Sequence, residues 1–585
     1  MTLQARRVYQ FGQFQLDIQE YMLLRDGKVV PLTRKAFETL SLLVQNSGIV
    51  LQKDEMMKSI WPNSFVEEAT LAQNVFTLRR ILGESPNQAQ YIETVPGRGY
   101  RFIAKVSEVL LDDHDDTASE RGNGAGPLKS IAILPFKVLT SDTNDEYFGL
   151  GLADALITRL SNVKDIVVRP TSAILKYHRQ EQELSLIGRE LKVQLLLAGI
   201  IQQLDERIRI TVQLVDVETG VPLWADKFDE EFSDVFSLQD AISERAMEAL
   251  TLKLTKSERQ LLTKHHAKNS VAYRCYLKGR YLWSKWTEDG FNKSIAFFER
   301  AIEIEPTFAM AYAGLADTYT SLAFNGYVVP HQAMPKVKAM SRKALHLDEE
   351  MAEARLPLAA SLFFYDWDWE GAEVEFKRSI KANPNYAIAQ QMYSLFLVAM
   401  KRFDEAKAMM RQALESDPVS PLIKTTAGFP YFYSGQYDQA IKQYRDTLEE
   451  DPYFGLAHVA LANAYTHKGM YDEAIYHYKQ AMATWGEKLG SPHLGYAYAV
   501  SNRRSEAIDI LKKLERLSTK EYISPLSMAT VYAGLEERDE TFRWLEKAYE
   551  ERSNKLVFLA VKPSFKKLRS DPQFKDLLRR IGLET

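Results

Sequence analysis

Between Trp369 and Tyr478 the chain repeats itself every 34 residues, in four registers at once. Trp369, Phe403, Tyr437 and Tyr471 are 34 apart, and so are Ala372, Ala406, Ala440 and Ala474. The prolines Pro384, Pro418 and Pro452 keep the same step, and Phe376, Met410, Tyr444 and Tyr478 place an aromatic or Met at a fourth position. Units this short cannot bury an apolar face alone. They must stack on their neighbours, which excludes one common globular core for this half of the chain. Phe291, Phe298, Ala301 and Pro306 fit the template one block earlier. Pro306 and Pro384 are 78 residues apart where two repeats would give 68, so ten inserted residues are expected near Phe324 to Pro335.

The pattern resembles the tetratricopeptide repeat, a helix-turn-helix unit in which a small residue lets two helices approach and an aromatic wedges between them. The resemblance covers roughly residues 270 to 550. It weakens after Met482, where Glu506-Ala507-Ile508 and Glu540-Thr541-Phe542 keep only fragments, and an all-α solenoid with degenerate C-terminal repeats is expected over 270–585. Nearly every repeated position is core, so these residues specify a solenoid and not a binding chemistry. The resemblance implies a protein or peptide partner held by non-repeating residues on the concave surface.

The 585 residues are enough for several domains, and a composition of 46% apolar and 26% charged residues is that of a folded chain rather than a disordered one. The net charge is -4, from 74 Lys+Arg against 78 Asp+Glu, so any nucleic-acid site must be local. The single cysteine, Cys275, excludes an intrachain disulfide, a cysteine-built zinc site and a CxxC pair. It sits among Tyr273, Tyr276 and Tyr281 and reads as core filling rather than as a nucleophile. The longest strongly apolar stretch, Leu195 to Ile201, is far short of the ~20 residues that cross a bilayer. The N-terminus has no secretory apolar core. A cytoplasmic protein is expected.

The clearest seam is DDHDDTASERGNGAGP, Asp112 to Pro127, where acids mix with Gly, Ser and Pro. It divides the chain into residues 1–106, a flexible linker at 107–127, an α/β domain at 128–256 and the solenoid at 270–585. Residues 1–106 carry 13 Lys+Arg and 10 Asp+Glu, a local basic excess. Strand-like runs at Tyr9 to Leu16 and Tyr21 to Arg25 precede a helix capped by Thr33, in which Ala36, Phe37, Leu40, Leu43 and Val44 fall at helical spacing. A second helix is expected over Lys53 to Ile60, ended by Pro62, and a third over Glu67 to Leu82. In the third, Leu71, Val75, Leu78 and Leu82 form one buried stripe. At about 100° per residue, Thr70, Gln73, Thr77 and Arg80 lie opposite, with Asn74 and Arg79 on the flanks. Amides, hydroxyls and guanidinium groups on such a face suit the major groove. YIETVPGRGYRFIAKV, residues 91–106, then gives two β-prone runs around Pro96-Gly97-Arg98-Gly99, a hairpin whose tip carries an arginine.

Three helices and a basic hairpin resemble a winged helix-turn-helix of the OmpR type as found in CadC-type regulators, with TVPGRGYRF the most specific segment. The resemblance implies double-stranded DNA as partner, the third helix in the major groove and the wing on the minor groove or backbone. It also implies contact with RNA polymerase through Pro62 to Val66 and homodimers on paired half-sites. Thr70, Asn74, Thr77 and Arg79 match positions where the family contacts DNA, Gln73 and Arg80 rest on the helical-face argument, and Arg98 and Arg101 are the wing candidates. Two positions depart from the family. Pro96 stands where many members place an arginine, which passes the minor-groove contact to Arg98, and Phe76 replaces a common basic residue, leaving either a thymine-methyl contact or simple packing.

The segments SIAILPF, EYFGLGLADALITRL and RIRITVQLVDVETGVPLWADKFD resemble the N-terminal domain of TolB-like proteins. Gly149-Leu150-Gly151 begins a dinucleotide fingerprint but lacks the third glycine, and a hairpin turn explains Asp216 and Glu218 without a metal shared with Asp226. His265 and His266 are adjacent and point apart on a helix. No phosphate loop, HExxH or GxSxG pattern occurs, so no cofactor, metal or enzymatic activity is expected. The whole reads as a multidomain DNA-binding transcriptional regulator: winged helix-turn-helix, then α/β domain, then all-α tetratricopeptide solenoid. The alternative is an interaction scaffold whose winged helix contacts protein.

Overall fold

The computed structural model describes residues 6–17, 22–25, 28–30, 34–60, 68–84, 90–95, 98–111, 129–139, 146–161, 163, 166–177, 183–204, 207–231, 239, 241–246 and 269–583. The linker residues 112–127, the loop Pro62 to Val66, Thr33 and His265-His266 lie outside them. The chain forms two compact units, Met1–Gly124 and Ala125–Thr585.

In the first unit, β1 (Arg6–Phe11), β2 (Phe14–Asp17), β3 (Met22–Arg25) and β4 (Lys28–Val30) form an antiparallel meander. The run Tyr9 to Leu16, expected as one strand, is therefore a hairpin, turned at Gly12 with φ of +55°. Three helices follow, α1 (Arg34–Gln45), α2 (Lys53–Ile60) and α3 (Glu68–Leu82), with β5 (Val50–Gln52) between the first two. The wing strands β6 (Ile92–Val95) and β7 (Gly99–Phe102) complete a second sheet ordered β5-β7-β6. Leu71, Val75, Leu78 and Leu82 of α3 are all buried, against a core that holds Phe37, Leu40, Leu43, Phe11, Phe14 and Phe102.

A further strand, β8 (Ser107–Leu111), pairs antiparallel with β1 from Gln10↔Ser107 to Arg6↔Leu111. The domain thus extends five residues into the stretch expected as linker. The backbone groups of 107–111 find partners on the edge of the meander, which a reading of side chains alone does not show.

The second unit opens with β9 (Lys129–Ile133), β10 (Lys137–Leu139), α4 (Glu146–Leu160), β11 (Ile166–Val168), α5 (Thr171–Ile174) and α6 (Leu184–Glu190). The long strands β12 (Leu195–Leu204), β13 (Arg207–Asp216) and β14 (Pro222–Glu231) follow. The order β11-β9-β12-β13-β14 is parallel on one side and antiparallel on the other, with β10 on β12. The apolar run Ile131-Ala132-Ile133 is fully buried, as a parallel strand covered on both faces requires. Gly149 and Gly151 lie inside α4. A Cβ at Gly149 would stand 2.0 Å from the Phe136 carbonyl oxygen and one at Gly151 2.8 Å from Leu277 Cδ2, so close packing accounts for both glycines.

Helical pairs then stack one after another. They are α7 (Ser270–Trp283) with α8 (Glu288–Ile304), α9 (Ala309–Phe324) with α10 (Pro330–Leu347), α11 (Ala352–Ser361) with α12 (Trp369–Ala382), and α13 (Ala387–Ala399) with α14 (Phe403–Ser416). In the next pair the first helix is split into α15 (Pro421–Thr426) and α16 (Phe429–Tyr433), packed on α17 (Tyr437–Glu450). The last three are α18 (Gly455–Lys468) with α19 (Tyr471–Trp485), α20 (Glu487–Val500) with α21 (Arg504–Ser518), and α22 (Pro525–Gly534) with α23 (Arg538–Glu550). Each turn inside a pair holds a residue of positive φ: Trp286, Gly326, Trp367, Lys401, Gly435, Gly469, Asn502 and Glu536.

The repeated alanines Ala372, Ala406, Ala440 and Ala474 are all fully buried, as are Phe376, Tyr444 and Tyr478 within 1%. The expected insertion is spread rather than looped out. α9 and α10 run 16 and 18 residues where α13 and α14 run 13 and 14. A π turn at Leu362–Asp366 adds to the pair that follows.

After α23 the repeats stop. Two 3-10 turns, Asn554–Phe558 and Pro563–Leu568, lead to α24 (Pro572–Arg580), and this segment folds back over the first helices of earlier pairs. Asn554 donates to the Ala323 carbonyl (2.9 Å), Arg552 to that of Tyr365 (2.6 Å), and Trp369 Nε1 to that of Ile581 (3.1 Å). Phe558 stacks on Tyr433 at 5.4 Å.

The α/β layer is fixed to the repeats. The buried Arg169 guanidinium donates to the carbonyls of Leu191 (2.9 Å) and Lys192 (2.7 Å) on its own side and to those of Ser416 (2.9 Å) and Glu415 (3.3 Å) at the end of α14. Asn385 donates to the Ile166 carbonyl at 2.9 Å. Arg280 of α7 stands 3.3 Å from Asp154 of α4 and 3.4 Å from Asp317 of α9.

Candidate nucleic-acid interface

The wing is bound to α3 by a small network. Gly83, with φ of +78°, ends the helix, and the next residue, Glu84, turns its carboxylate inward. Its Oε1 accepts the backbone N–H groups of Gln90 (3.0 Å), Ile92 (2.8 Å) and Tyr91, which fixes where β6 begins. Arg79 stands 3.4 Å from the other carboxylate oxygen and donates to the Ile92 carbonyl (2.9 Å from Nη2) and to Thr94 Oγ1 (2.8 Å). An ion pair whose carboxylate also accepts three backbone N–H groups holds its geometry firmly, although Glu84 Oε2 has only the Arg79 charge beside it and no hydrogen bond of its own. On the other edge a Cβ at Gly99 would stand 1.9 Å from the Leu51 carbonyl oxygen, so only glycine lets β7 approach β5. Arg98 at the tip is exposed, and its N–H donates to the Val95 carbonyl at 3.0 Å.

The candidate residues therefore fall into groups. Thr70 is exposed on α3, Phe76 is 61% exposed on the same helix, and Thr77 is half-buried. Asn74 is half-buried, with Nδ2 3.4 Å from Thr39 Oγ1 of α1, a long contact that leaves its amide oxygen for other donors. Arg79 is turned onto the wing strand. Arg101 is paired across the hairpin with Glu93 at 2.6 Å, its charge already balanced. Gln73 and Arg80 stand in α3, and their side chains are not among those described. Sequence reasoning missed Glu84, whose signal was an acid immediately after a helix-ending glycine. It also missed Tyr91, which packs against Phe11, Phe14 and Phe102 and roots the wing in the core.

Among the described residues no group of His, Cys, Asp or Glu is placed to hold a metal, and no helix is long and apolar enough to cross a membrane. Asp216 accepts from the N–H (2.8 Å) and hydroxyl (2.9 Å) of Thr219 within the β13–β14 turn. Burial raises the Cys275 thiol above its ordinary range, the reverse of what activates a thiolate.

Comparison with known proteins matches four stretches of the chain. Residues 27–102 match the family described as transcriptional regulatory protein, C terminal, and residues 128–245 match the HilA/YgeH-like transcriptional regulator, second domain. Residues 387–420 and 431–487 match tetratricopeptide repeats. The middle segment is thus matched to a HilA/YgeH-like second domain and not to a TolB-like one. The transcriptional regulator HilA of Salmonella typhimurium (strain LT2) is 24% identical over 437 residues, 74% of each chain. A putative adenylate cyclase 3 of Rhizobium meliloti (strain 1021) is 30% identical over 187 residues, and the match spans only about a third (32%) of each chain. The solved DNA-binding domain of E. coli CadC is 27% identical, with all of that chain and 18% of this one covered, at a TM-score of 0.17. Fold and matches together define the class, a winged-helix transcription regulator with a C-terminal array of tetratricopeptide repeats. Within that class it is similar to HilA over 74% of each chain and to the transcriptional activator CadC of Escherichia coli (strain K12), 29% identical, over 100 residues.

Proposed function

We propose that this chain controls transcription by binding double-stranded DNA through α3 and the wing, while the second unit receives the regulating signal. Thr70, Gln73, Asn74 and Thr77 read base edges in the major groove, and Phe76 meets a thymine methyl. Arg98 and Arg80 contact phosphates or the minor groove. Arg79, first considered a DNA contact, becomes a positioning residue that sets the angle between helix and wing, and Arg101 contributes through its pair with Glu93.

The observation that carries the reading is the Glu84–Arg79 network. It makes one rigid surface of two elements that would otherwise move independently, with Thr70, Phe76 and Arg98 turned outward. Homodimers on paired half-sites, polymerase contact through Pro62 to Val66, a protein partner on the repeats and a cytoplasmic site of action belong to the same proposal. It assigns the chain no catalytic role, the resemblance to a cyclase being confined to a third of each protein.

Selection by the full chain from a random DNA pool, followed by titration of the selected site against salt, tests the proposal. A recurring motif and an affinity that falls steeply with salt are expected. Recovery of no motif, with affinity independent of salt, would refute it.

A further inference from the structure

The first helices of the late pairs and the segment after α23 enclose a cleft that gathers two ammonium groups and two imidazoles. His493 of α20 feels the charges of Lys562 and Lys555, His467 of α18 that of Lys562, and Lys562 that of Lys555, and among the described residues no carboxylate shifts any of the four. Lys562 donates to Thr530 Oγ1 of α22 at 2.9 Å. The Tyr496 hydroxyl meets Ser564, with Tyr437 and Tyr471 beside it, and Arg569 reaches toward Tyr437. The rings form a wall, with His467 stacked on Tyr437 at 5.9 Å and against Tyr496 at 5.7 Å, and His493 stacked on Tyr478 at 6.2 Å.

Lys555 keeps access to solvent although protein surrounds it, the situation of a group at the bottom of a cleft. Burial, with the Lys555 charge adding to it, pulls the Lys562 ammonium down to about 7, and burial followed by the Lys562 charge holds His467 at about 4. Burial thus leaves both imidazoles uncharged near neutral pH, and the two lysines are the charged groups of the cleft. Folded proteins seldom keep two ammonium groups together without an acid. In the same unit Arg280 stands between Asp154 and Asp317, and Arg355 is paired with Glu375 at 2.7 Å. The cleft departs from that habit.

We propose that this cleft binds a phosphorylated small molecule, its anion seated between Lys555, Lys562 and the hydroxyls of Ser564 and Tyr496, with Lys562 aimed by its bond to Thr530. Ammonium groups and hydroxyls converging from separate elements suit a tetrahedral oxyanion with acceptors on every side, whereas a flat carboxylate would leave several of them unmet. The strap 554–569 bounds the cleft, which favours a small ligand over a polymer. Because Tyr496 belongs to a repeat while both lysines belong to the strap, the ligand ties strap to repeats. The inference deepens the signal-receiving role proposed for the second unit and rests on it only for its regulatory meaning.

Calorimetry of the full chain with sodium pyrophosphate, without DNA, tests it, alongside adenosine diphosphate, adenosine and a short duplex DNA. Pyrophosphate and the nucleoside diphosphate should bind and adenosine should not. Lys555→Gln with Lys562→Gln should weaken pyrophosphate about tenfold or more, as loss of two charge-assisted contacts requires. Arg98→Ala should leave it unchanged. Thr530→Val, which keeps the shape, should weaken binding by a smaller factor in a fold that is not in question. Without ligand, Lys562→Gln should melt no lower than the parent, since it removes an uncompensated charge. Equal pyrophosphate binding by parent and double variant, loss only in Arg98→Ala, or no binding by the parent at millimolar ligand would overturn the site. Duplex DNA displacing pyrophosphate in the Arg98→Ala protein would assign the cleft to nucleic acid instead. Failure of DNA binding leaves these measurements untouched, so the two readings fail separately.

Discussion

The wing of the first unit and the strap of the second are both short segments held against helices, but they are held differently. At the root of the wing the charges are paired: Glu84 takes three N–H groups and Arg79, and Arg101 takes Glu93. At the strap Lys555, Lys562, His467 and His493 gather, and among the described residues no acid shifts any of them. The first arrangement is complete in the protein alone, and the second leaves two ammonium groups for the anion proposed above to balance. A surface that must present fixed geometry to DNA gains from completeness, while a receiver of signals needs a state that a ligand can change.

The largest effect should come from breaking the stack itself. Ala440 is fully buried where α17 meets its neighbours, so Ala440→Asp places an unpaired carboxylate at a close helix contact, at a cost on the order of 3 to 5 kcal/mol. Neighbouring repeats should uncouple with it. Limited proteolysis should cut within 430–550 while residues 6–111 stay protected and still bind DNA. Loss of both units together would refute the independence of the winged unit.

Glu84→Ala should come next. It strands three N–H groups and Arg79, a loss of about 2 to 4 kcal/mol in the first unit, read as a lower melting transition of that unit alone. DNA affinity should fall with it although Glu84 touches no DNA. A variant with unchanged affinity would mean that the wing angle does not matter.

Acid should loosen the strap before the wing. The folded-state pKa of His467 is about 4 against an ordinary 6.5, so the unfolded chain binds more protons between those values and stability falls as pH drops through that window. Phe432, Tyr437 and Tyr496 pack around this ring, and Lys562 is the charge that faces it. Hydrogen exchange at pH 5 should therefore rise in 554–569 ahead of 90–102. Bound pyrophosphate should delay the change.

What the sequence revealed follows from distance along the chain. The repeats were legible because each core contact recurs at a fixed short step, and α2 was legible to the residue because Pro62 ends it. The pairing of β8 with β1 joins residues about a hundred apart and leaves no local trace in Ser107-Glu108. The strap lacks the 34-residue signature, and its lysines read in sequence as ordinary surface charge. Arg79 shows the limit at the interface. Helical geometry put it on the flank of α3, but a long side chain chooses its partner in three dimensions, and it chose the wing.

The smallest effects should separate Arg79 from the residues proposed to touch DNA. Arg98 is exposed at the wing tip, so Arg98→Ala should weaken binding to all sequences by a similar factor and lower the slope of log affinity against log salt by about one. Asn74→Ala with Thr77→Ala should instead flatten preference among sites by ~1 to 3 kcal/mol and leave nonspecific binding nearly unchanged. Arg79→Ala should do neither cleanly. It removes no phosphate contact, so the salt slope should hold, yet it frees β6 from α3 and should weaken every site while lowering the melting point of the first unit. Arg79→Lys, which keeps the charge but cannot reach both the Ile92 carbonyl and Thr94, should behave like the alanine variant. If lysine restores full affinity, charge was what mattered, and Arg79 is a phosphate contact after all.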